Sequence, residues 1–212
     1  MKTRDPHDAL ERAGRLLENV DSDPKIREIL VTHCCISAAL ALIPLPAAGA
    51  GACMVNIYGM YMRINAALGV PFSRNVVRSV AGMIASNFSG MVARSLGLVA
   101  SEVLKFIPGI GSIAGGLLET AVLYSVTGVQ GKIYCEWLRL MILKGAVSGD
   151  GTFDGSTARS TLDGILSDKE RIRSMMEELK KEARKADFRK YKDEAAAVLK
   201  KYMEEKKDDD AR

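Results

Sequence analysis

Residues 29–62 read ILVTHCCISAALALIPLPAAGAGACMVNIYGMYM, and no Asp, Glu, Lys or Arg interrupts them. Pro44 and Pro46, followed by Gly49 and Gly51, break this apolar run near its middle. Because proline and glycine interrupt helices, the stretch predicts a helical hairpin with two apolar arms. Each arm of about 15 to 20 residues would rise roughly 22 to 30 Å, which borders on the thickness of a bilayer's hydrocarbon core. The sequence therefore indicates either lipid or a deeply buried core as the environment of the hairpin.

The same pattern occurs a second time, 64 residues further along the chain. Ile43-Pro44 precedes the segment AAGAGA, and Ile107-Pro108 precedes the segment GIGSIAGG. The small residues that we single out after the second break are Gly109, Gly115 and Gly116. The repeated unit is a helix, an Ile-Pro break and a helix that starts with small residues. We therefore predict an all-α fold in which two Ile-Pro-broken hairpins form an apolar bundle, with a charged C-terminal helical extension.

Helix start signals and shifts in composition divide the chain into four parts. Asp-Pro pairs at residues 5–6 and 23–24 start helices, because Asp caps the first turn and Pro suits its first position. Ser167 and Glu170 form a capping box for a later helix. The predicted parts are an N-terminal amphipathic helix (1–22), the double-hairpin domain (23–146), a linker rich in Gly, Ser and Asp (147–166) and a charged helical tail (167–212). We expect the N-terminal helix to dock on the core, with a membrane-surface helix as the alternative.

The long helix predicted to follow Ser73 carries small residues at four-residue spacing, namely Gly82, Ser86 and Gly90. Such rows let helix backbones approach closely, either in a membrane or in a tightly packed soluble bundle. Together with the prolines and glycines of the two breaks, they are the residues expected at helix or membrane contacts. We also expect Arg78 or Arg94 to pair with Glu119 or Glu136, because an unpaired charge is costly in either environment.

The tail contains the densest group of positive charges in the chain. This basic cluster consists of Lys180, Lys181, Arg184, Lys185, Arg189, Lys190 and Lys192. Near an anionic membrane surface each cation contributes about 1 kcal/mol of binding. The alternative is a solvated helix face whose cations are balanced by neighbouring glutamates. The tail also has an intermittent apolar seam, which suits a partner helix and is too thin for a core of its own.

The sequence offers no convincing catalytic, cofactor-binding or metal-binding residues. The four cysteines lie in apolar runs without a CxxC pair, which predicts buried, reduced thiols. His33 lies on an apolar helix, where a hydrogen-bonded core histidine is expected. Asn56, Asn65 and Asn87 are expected to bond between helices. Residues 131–132 lack the spacing of a phosphate-binding loop. With a net charge of +4 and 6% aromatic residues, we do not expect binding to nucleic acid.

Two segments resemble a known bacterial family. They are LIPLPAAGAGACMVNIYGMYMRINAALGV (42–70) and KFIPGIGSIAGGLLETAVLYSVTGVQGKIYCEWL (105–138). They resemble the helical domains of unknown function that follow Era-like small GTPase domains and occur in YcjF-like inner-membrane proteins. The resemblance covers about residues 29–138 and implies a membrane-associated domain, often linked to a GTPase or a stress system, without an assigned catalytic residue. This chain departs from that pattern because it lacks a GTPase segment and adds a charged tail.

These observations favour a non-enzymatic helical protein that acts as a scaffold or regulatory partner at the cytoplasmic (inner) membrane. The expected partners are membrane lipid and a protein, with a GTPase as a candidate and a homo-oligomer left open. If the hairpins insert, the turns lie on one side and most Lys and Arg on the other, which predicts that both termini are cytoplasmic. Two alternatives stay open: a soluble cytoplasmic helical adaptor, and a pore-forming or toxin-related protein that inserts into membranes.

Overall fold

The computed structural model describes residues 6–43, 48–95 and 116–210. These residues form eight α-helices and two 3-10 helices, and an isolated β-bridge joins Val147 to Phe153. The α-helices are α1 (Pro6–Leu16), α2 (Pro24–Leu40), α3 (Ala48–Leu68), α4 (Arg74–Ser95), α5 (Gly116–Leu143), α6 (Gly155–Ser167), α7 (Lys169–Ala183) and α8 (Lys192–Asp210). The 3-10 helices are Leu17–Asn19 and Phe188–Tyr191. The all-α prediction is confirmed.

Short polar side chains start the helices as the sequence indicates, with one difference. The carboxylate of Asp23 accepts hydrogen bonds from the first backbone amides of α2, and Ser73 Oγ accepts one from the backbone of α4 at 3.3 Å. At α7 the cap is Asp168, whose carboxylate accepts a bond from Arg171 N at 3.0 Å. The predicted capping box at Ser167 is therefore wrong, because its hydroxyl instead donates to a carbonyl within α6.

Helix α5 is the axis of the bundle. It packs against α1, α2, α3, α4, α6 and α7, and most of its side chains from Thr120 to Met141 are buried. Tyr134 stacks on Tyr61 of α3 with ring centroids 4.0 Å apart, and its hydroxyl donates to Asn65 Oδ1 at 2.7 Å. A helix that is apolar on nearly every side must lie inside other helices. The rest of the fold consequently encloses α5.

Helix α1 docks on this core through one apolar stripe, as predicted. Leu10, Ala13 and Leu17 are buried, whereas the charged residues Glu11 and Arg15 are exposed.

Within the described ranges, no helix combines the length and the apolarity that crossing a membrane requires.

The predicted linker at residues 147–166 is mostly helical. Helix α6 buries Ala158, Leu162 and Ile165 against the core, and Asp154 caps it by accepting a bond from the backbone. Small polar residues favoured a loop at this position, but a buried apolar stripe with a capping carboxylate stabilises a helix. The loop is confined to residues 144–154.

The charged tail packs on the same core and is not a separate extension. Helix α7 runs antiparallel to α5 and buries Ile172, Met176 and Leu179. Helix α8 packs on α2 and α3 through a smaller cluster that includes Ala195 and Leu199. The apolar seam of the tail is thus occupied within the chain, because α5, α2 and α3 present apolar surface that would otherwise face water.

The loop between α5 and α6 is held by a backbone contact and an aromatic cluster. Phe153 lies edge-on to Trp137 of α5, with ring centroids 5.7 Å apart, and it also contacts Phe72 in the connection between α3 and α4. Gly151 has a φ of +82° and lies against the carbonyl of Pro71, so that a side chain there would overlap backbone. Glycine is therefore required at this position.

We predict that Gly151→Ala lowers the free energy of unfolding by about 3 kcal/mol, from left-handed strain together with backbone overlap. Gly145→Ala is the matched control, since Gly145 has a φ of +62° but no atom that would meet a new Cβ within 4 Å. Gly145→Ala introduces only the left-handed strain, which should lower the free energy of unfolding by about 1 kcal/mol. Urea unfolding followed by circular dichroism measures both variants. Equal losses in the two would show that the contact with Pro71 contributes nothing.

Candidate functional site

The residues predicted at helix or membrane contacts lie in several different environments. Gly51 of α3 lies directly against the ring of Tyr202 of α8. Gly82 of α4 is exposed and has no atom that would meet a Cβ within 4 Å, and Ser86 is also exposed. The row on α4 thus faces away from the core over this part of its length. Gly49 and Gly90 lie within helices α3 and α4, Gly116 begins α5, and Pro44, Pro46, Pro108, Gly109 and Gly115 lie outside the described residues.

The first hairpin contains a buried polar network, as predicted for His33 and Asn56. The amide nitrogen of Asn56 donates to the carbonyl of His33 and to Ser37 Oγ, both at 2.8 Å. Asn56 Oδ1 lies 2.7 Å from His33 Nδ1 and must accept, so the imidazole proton is on Nδ1. Within the described part of the chain, His33 Nε2 has no hydrogen-bond partner. Burial lowers the pKa of His33 from 6.5 to about 4, and the histidine is therefore neutral near pH 7.

The cysteines are free and buried, as the sequence predicts. Burial raises the pKa of the Cys35 thiol to about 11 and that of Cys135 to about 12. A thiol is nucleophilic only as the thiolate. These side chains therefore act as small apolar core residues at neutral pH.

Charged residues on α5 form one stripe that faces a cleft of about 330 Å³. Lys132 pairs with Asp21 at 2.8 Å. Glu136 accepts two bonds from the guanidinium of Arg171, at 2.8 and 2.7 Å, and this bond raises the pKa of Arg171. The predicted pairing of Glu136 with Arg78 is wrong, because α7 places Arg171 beside it and Arg78 instead lies over the ring of Tyr58 at 5.6 Å. The cleft is therefore lined by charges of both signs, four of which form the two ion pairs described.

Three residues of the basic cluster, Lys180, Arg184 and Arg189, lie at the end of the bundle where α2 ends and α3 and α5 begin, which we call the turn end. Arg184 and Arg189 line a cavity of about 610 Å³ together with Leu42, next to the end of α2, and Thr120, near the start of α5. If the hairpins insert, the sequence predicts that most Lys and Arg, including those of the tail, lie on the side opposite the turns. That prediction is wrong for residues 180–189, because α7 runs antiparallel to α5 and returns the chain to the turn end.

The cavity is apolar on its walls and positive at its rim. Ala121, Val122, Ala183, Ala186 and Phe188 contribute to its walls. The cations at its rim are Lys180, Arg184 and Arg189, and the acid there is Asp187. Such a cavity can hold an apolar chain whose end carries a negative charge.

Two of the rim charges already have partners, which leaves the arginines as the available cations. Lys180 pairs with Glu177 at 2.7 Å, and Asp187 lies 3.8 Å from Lys190. Asp187 Oδ1 also accepts a bond from Arg189 N at 3.3 Å. Among the side chains that the structure describes, no carboxylate forms an ion pair within 4 Å of the guanidinium of Arg184 or Arg189, and Glu177 interacts with Arg184 only electrostatically. Guanidinium groups bind phosphate and carboxylate with two parallel hydrogen bonds.

Sequence reasoning identified the cations of this cavity but not its walls. Ala183 and Ala186 are small residues within a charged segment, whereas Leu42 follows α2 and Val122 belongs to α5, both far away in sequence. The available signal was the interruption of the basic cluster by apolar residues at 183, 186 and 188. Which helices these residues face depends on the direction of α7, and local sequence does not encode that direction.

Comparison with curated proteins gives a match to magnetosome membrane protein 22 of Magnetospirillum gryphiswaldense, 26% identical over 130 residues. The match covers 61% of this chain and 65% of the relative, which is slightly less than two thirds of the relative's length. By its name, the relative is a membrane protein of the magnetosome. No model of a known protein family matches the chain, and neither does any solved structure.

We predict that stability falls between pH 7 and pH 4.5 because of His33. In the unfolded chain the His33 imidazole is protonated near pH 6.5, whereas in the folded chain it is protonated only near pH 4. The part of the free energy of unfolding that depends on neutral His33 is therefore fully present above pH 6.5 and is lost as the pH falls towards 4. The expected loss from this group is about 2 kcal/mol. Urea unfolding of the wild type and of His33→Gln at each pH measures the difference. His7→Gln, which removes an exposed imidazole, is the control, and an unchanged pH dependence in His33→Gln would contradict the assignment.

Proposed function

We propose that this chain is a non-enzymatic, membrane-associated helical protein that works as a scaffold or regulatory partner at the cytoplasmic membrane. In this proposal the turn end faces the anionic leaflet, and both termini stay on the cytoplasmic side. The observation that carries the proposal is the position of the basic cluster, whose arginines share the turn end with Leu42 and with apolar residues of α5. Cations beside apolar surface are the combination with which proteins bind anionic membranes.

The charge of this region supports the proposal. From Lys180 to Lys192 the chain has seven Lys and Arg residues and two acids, Glu182 and Asp187. Lys181, Lys185 and Lys192 are exposed, as are the two arginines of the cavity rim. A local excess of five positive charges attracts an anionic surface, although the whole chain is only weakly basic.

The similarity to magnetosome membrane protein 22 also supports membrane association, because that relative is a membrane protein by name. A GTPase partner, which the resemblance to Era-associated helical domains implies, is a further part of the proposal. The described residues offer exposed charged faces on α7 and α8 that a protein partner could contact.

A second candidate function is that of a soluble helical adaptor. The observation in its favour is the burial of the apolar arms against one another: Leu30 and Cys34 of α2, Met60 of α3 and Val129 of α5 are all buried in one core. In this reading α8 and the exposed face of α7 would bind a protein, and the basic cluster would contact an acidic surface on it.

We predict that the purified protein sediments with vesicles that contain phosphatidylglycerol and not with vesicles of phosphatidylcholine alone. Neutralising Lys181, Arg184, Lys185 and Arg189 to Gln should lower the partition coefficient by about a thousandfold, at about 1 kcal/mol per cation. Raising the salt concentration to about 1 M should weaken binding, since the interaction is screened.

The matched control for that experiment neutralises four exposed cations away from the turn end, Lys25, Arg27, Arg63 and Arg159, and so loses the same net charge. Equal losses in both variants would mean that net charge alone, and not the turn end, determines binding.

The adaptor reading makes a different prediction for the purified chain. It expects a monodisperse particle in size-exclusion chromatography without detergent, because the apolar arms are already covered, and no sedimentation with either kind of vesicle. Co-sedimentation with anionic vesicles would contradict it. Release of a trapped dye from the same vesicles would instead favour the pore-forming alternative.

A further inference from the structure

We propose that the cavity at the turn end binds one acyl chain of an anionic phospholipid, with the phosphate held by Arg184 and Arg189. This inference rests on the proposed membrane association and adds to it a defined site, a stoichiometry and a ligand class. The membrane proposal needs only a charged surface, whereas this inference needs the cavity itself.

The size and the lining of the cavity favour an apolar chain. Its volume of about 610 Å³ lies within the usual range for ligand pockets, about 300 to 1,000 Å³. Its walls come from α5, the end of α7 and the segment at 186–188, with Leu42 closing one side. Alanines at 121, 183 and 186 create the space, because larger side chains at these positions would fill it. A free phosphate would leave these apolar walls facing water.

The rim selects a negatively charged head group. Arg184 and Arg189 lie on either side of the short segment that carries Phe188, and both line the cavity. Among the side chains that the structure describes, the acid of the rim is Asp187, which is already bonded to the backbone of Arg189 and lies near Lys190. Two available guanidinium groups beside an apolar cavity complement one phosphate attached to one acyl chain.

Phe188 ties the site to the core, so that its geometry depends on the packing of the bundle. Its ring contacts Tyr124 of α5 with centroids 6.0 Å apart. Asp187 caps the 3-10 helix that begins at Phe188, which holds Arg189 in place. The cavity therefore belongs to the folded bundle, and the unfolded tail alone would not form it.

The experiment uses the full chain and three soluble compounds: lysophosphatidylglycerol below its critical micelle concentration, lysophosphatidylcholine, and glycerol phosphate, which has no acyl chain. Native mass spectrometry and calorimetric titration measure stoichiometry and affinity. We expect one lysophosphatidylglycerol per chain, weaker binding of lysophosphatidylcholine and no binding of glycerol phosphate. Equal binding of the two lysolipids, or binding of glycerol phosphate alone, would overturn the inference.

Variants test the walls and the rim separately. Ala186→Phe and Ala121→Leu fill the cavity from two different elements and should each weaken binding of lysophosphatidylglycerol at least tenfold. Ala196→Phe, on the exposed face of α8, is the matched control and should not change the affinity.

Arg184→Gln combined with Arg189→Gln tests the rim and should weaken binding about thirtyfold. Lys25→Gln combined with Arg27→Gln is its control and should leave binding unchanged. Unchanged binding in both cavity-filling variants would overturn the inference.

The results separate this inference from the proposed function. If anionic vesicles bind the protein but no single lysolipid does, the cavity assignment fails and membrane association stands. If one lysolipid binds but vesicles do not, membrane association fails and the cavity stands as a lipid site. A dimer of the chain in place of a lipid complex in the mass spectrum would show that a second copy occupies the cavity, and would overturn the inference.

Discussion

The burial of α5 is the constraint on which the rest of the structure depends. This helix is apolar on nearly all sides, so that its removal from water requires neighbours around its whole circumference. Gly128 and Gly131 let side chains from α7, α2 and α3 approach its backbone. Its polar stripe is the exception, and there Asp21 and Arg171 come from other elements to pair with Lys132 and Glu136. Helices α2, α3, α6 and α7 are placed by the need to cover this one helix.

The direction of α7 follows from this packing and determines where charge accumulates. Arg171 pairs with Glu136 near one end of α7, and Leu179 lies against Gly128 near the other, which makes α7 antiparallel to α5. The chain therefore leaves α7 beside the start of α5, with the basic cluster next to Leu42. The packing of α7 against α5 therefore brings the apolar walls and the cations together at the turn end. The combination of the two features supports a membrane role more strongly than either feature does alone.

Much of the local structure could be predicted from the sequence, because it depends on residues that are close together in the chain. Asp23 and Pro24 start α2, and the core role of His33 follows from its place on an apolar helix. Helix α6 was missed although its signal was present: Ala158, Leu162 and Ile165 recur at helical spacing behind the capping Asp154. The prediction relied on the small polar residues of this segment more than on that stripe, and so it placed a linker there. Glu136 was assigned an arginine from the wrong helix, because ion pairs between helices depend on which helices become neighbours.

By itself the sequence determined the helical class, the apolar character of the arms and the identity of the cations. These follow from backbone propensity and from the spacing of apolar residues, which act over a few positions. Only the tertiary structure decided that the charged tail covers the hairpin, that Arg171 neutralises Glu136 and that Arg184 shares a cavity with Leu42. The reason is that such contacts join residues more than thirty positions apart, and their formation depends on how whole helices bury one another around α5.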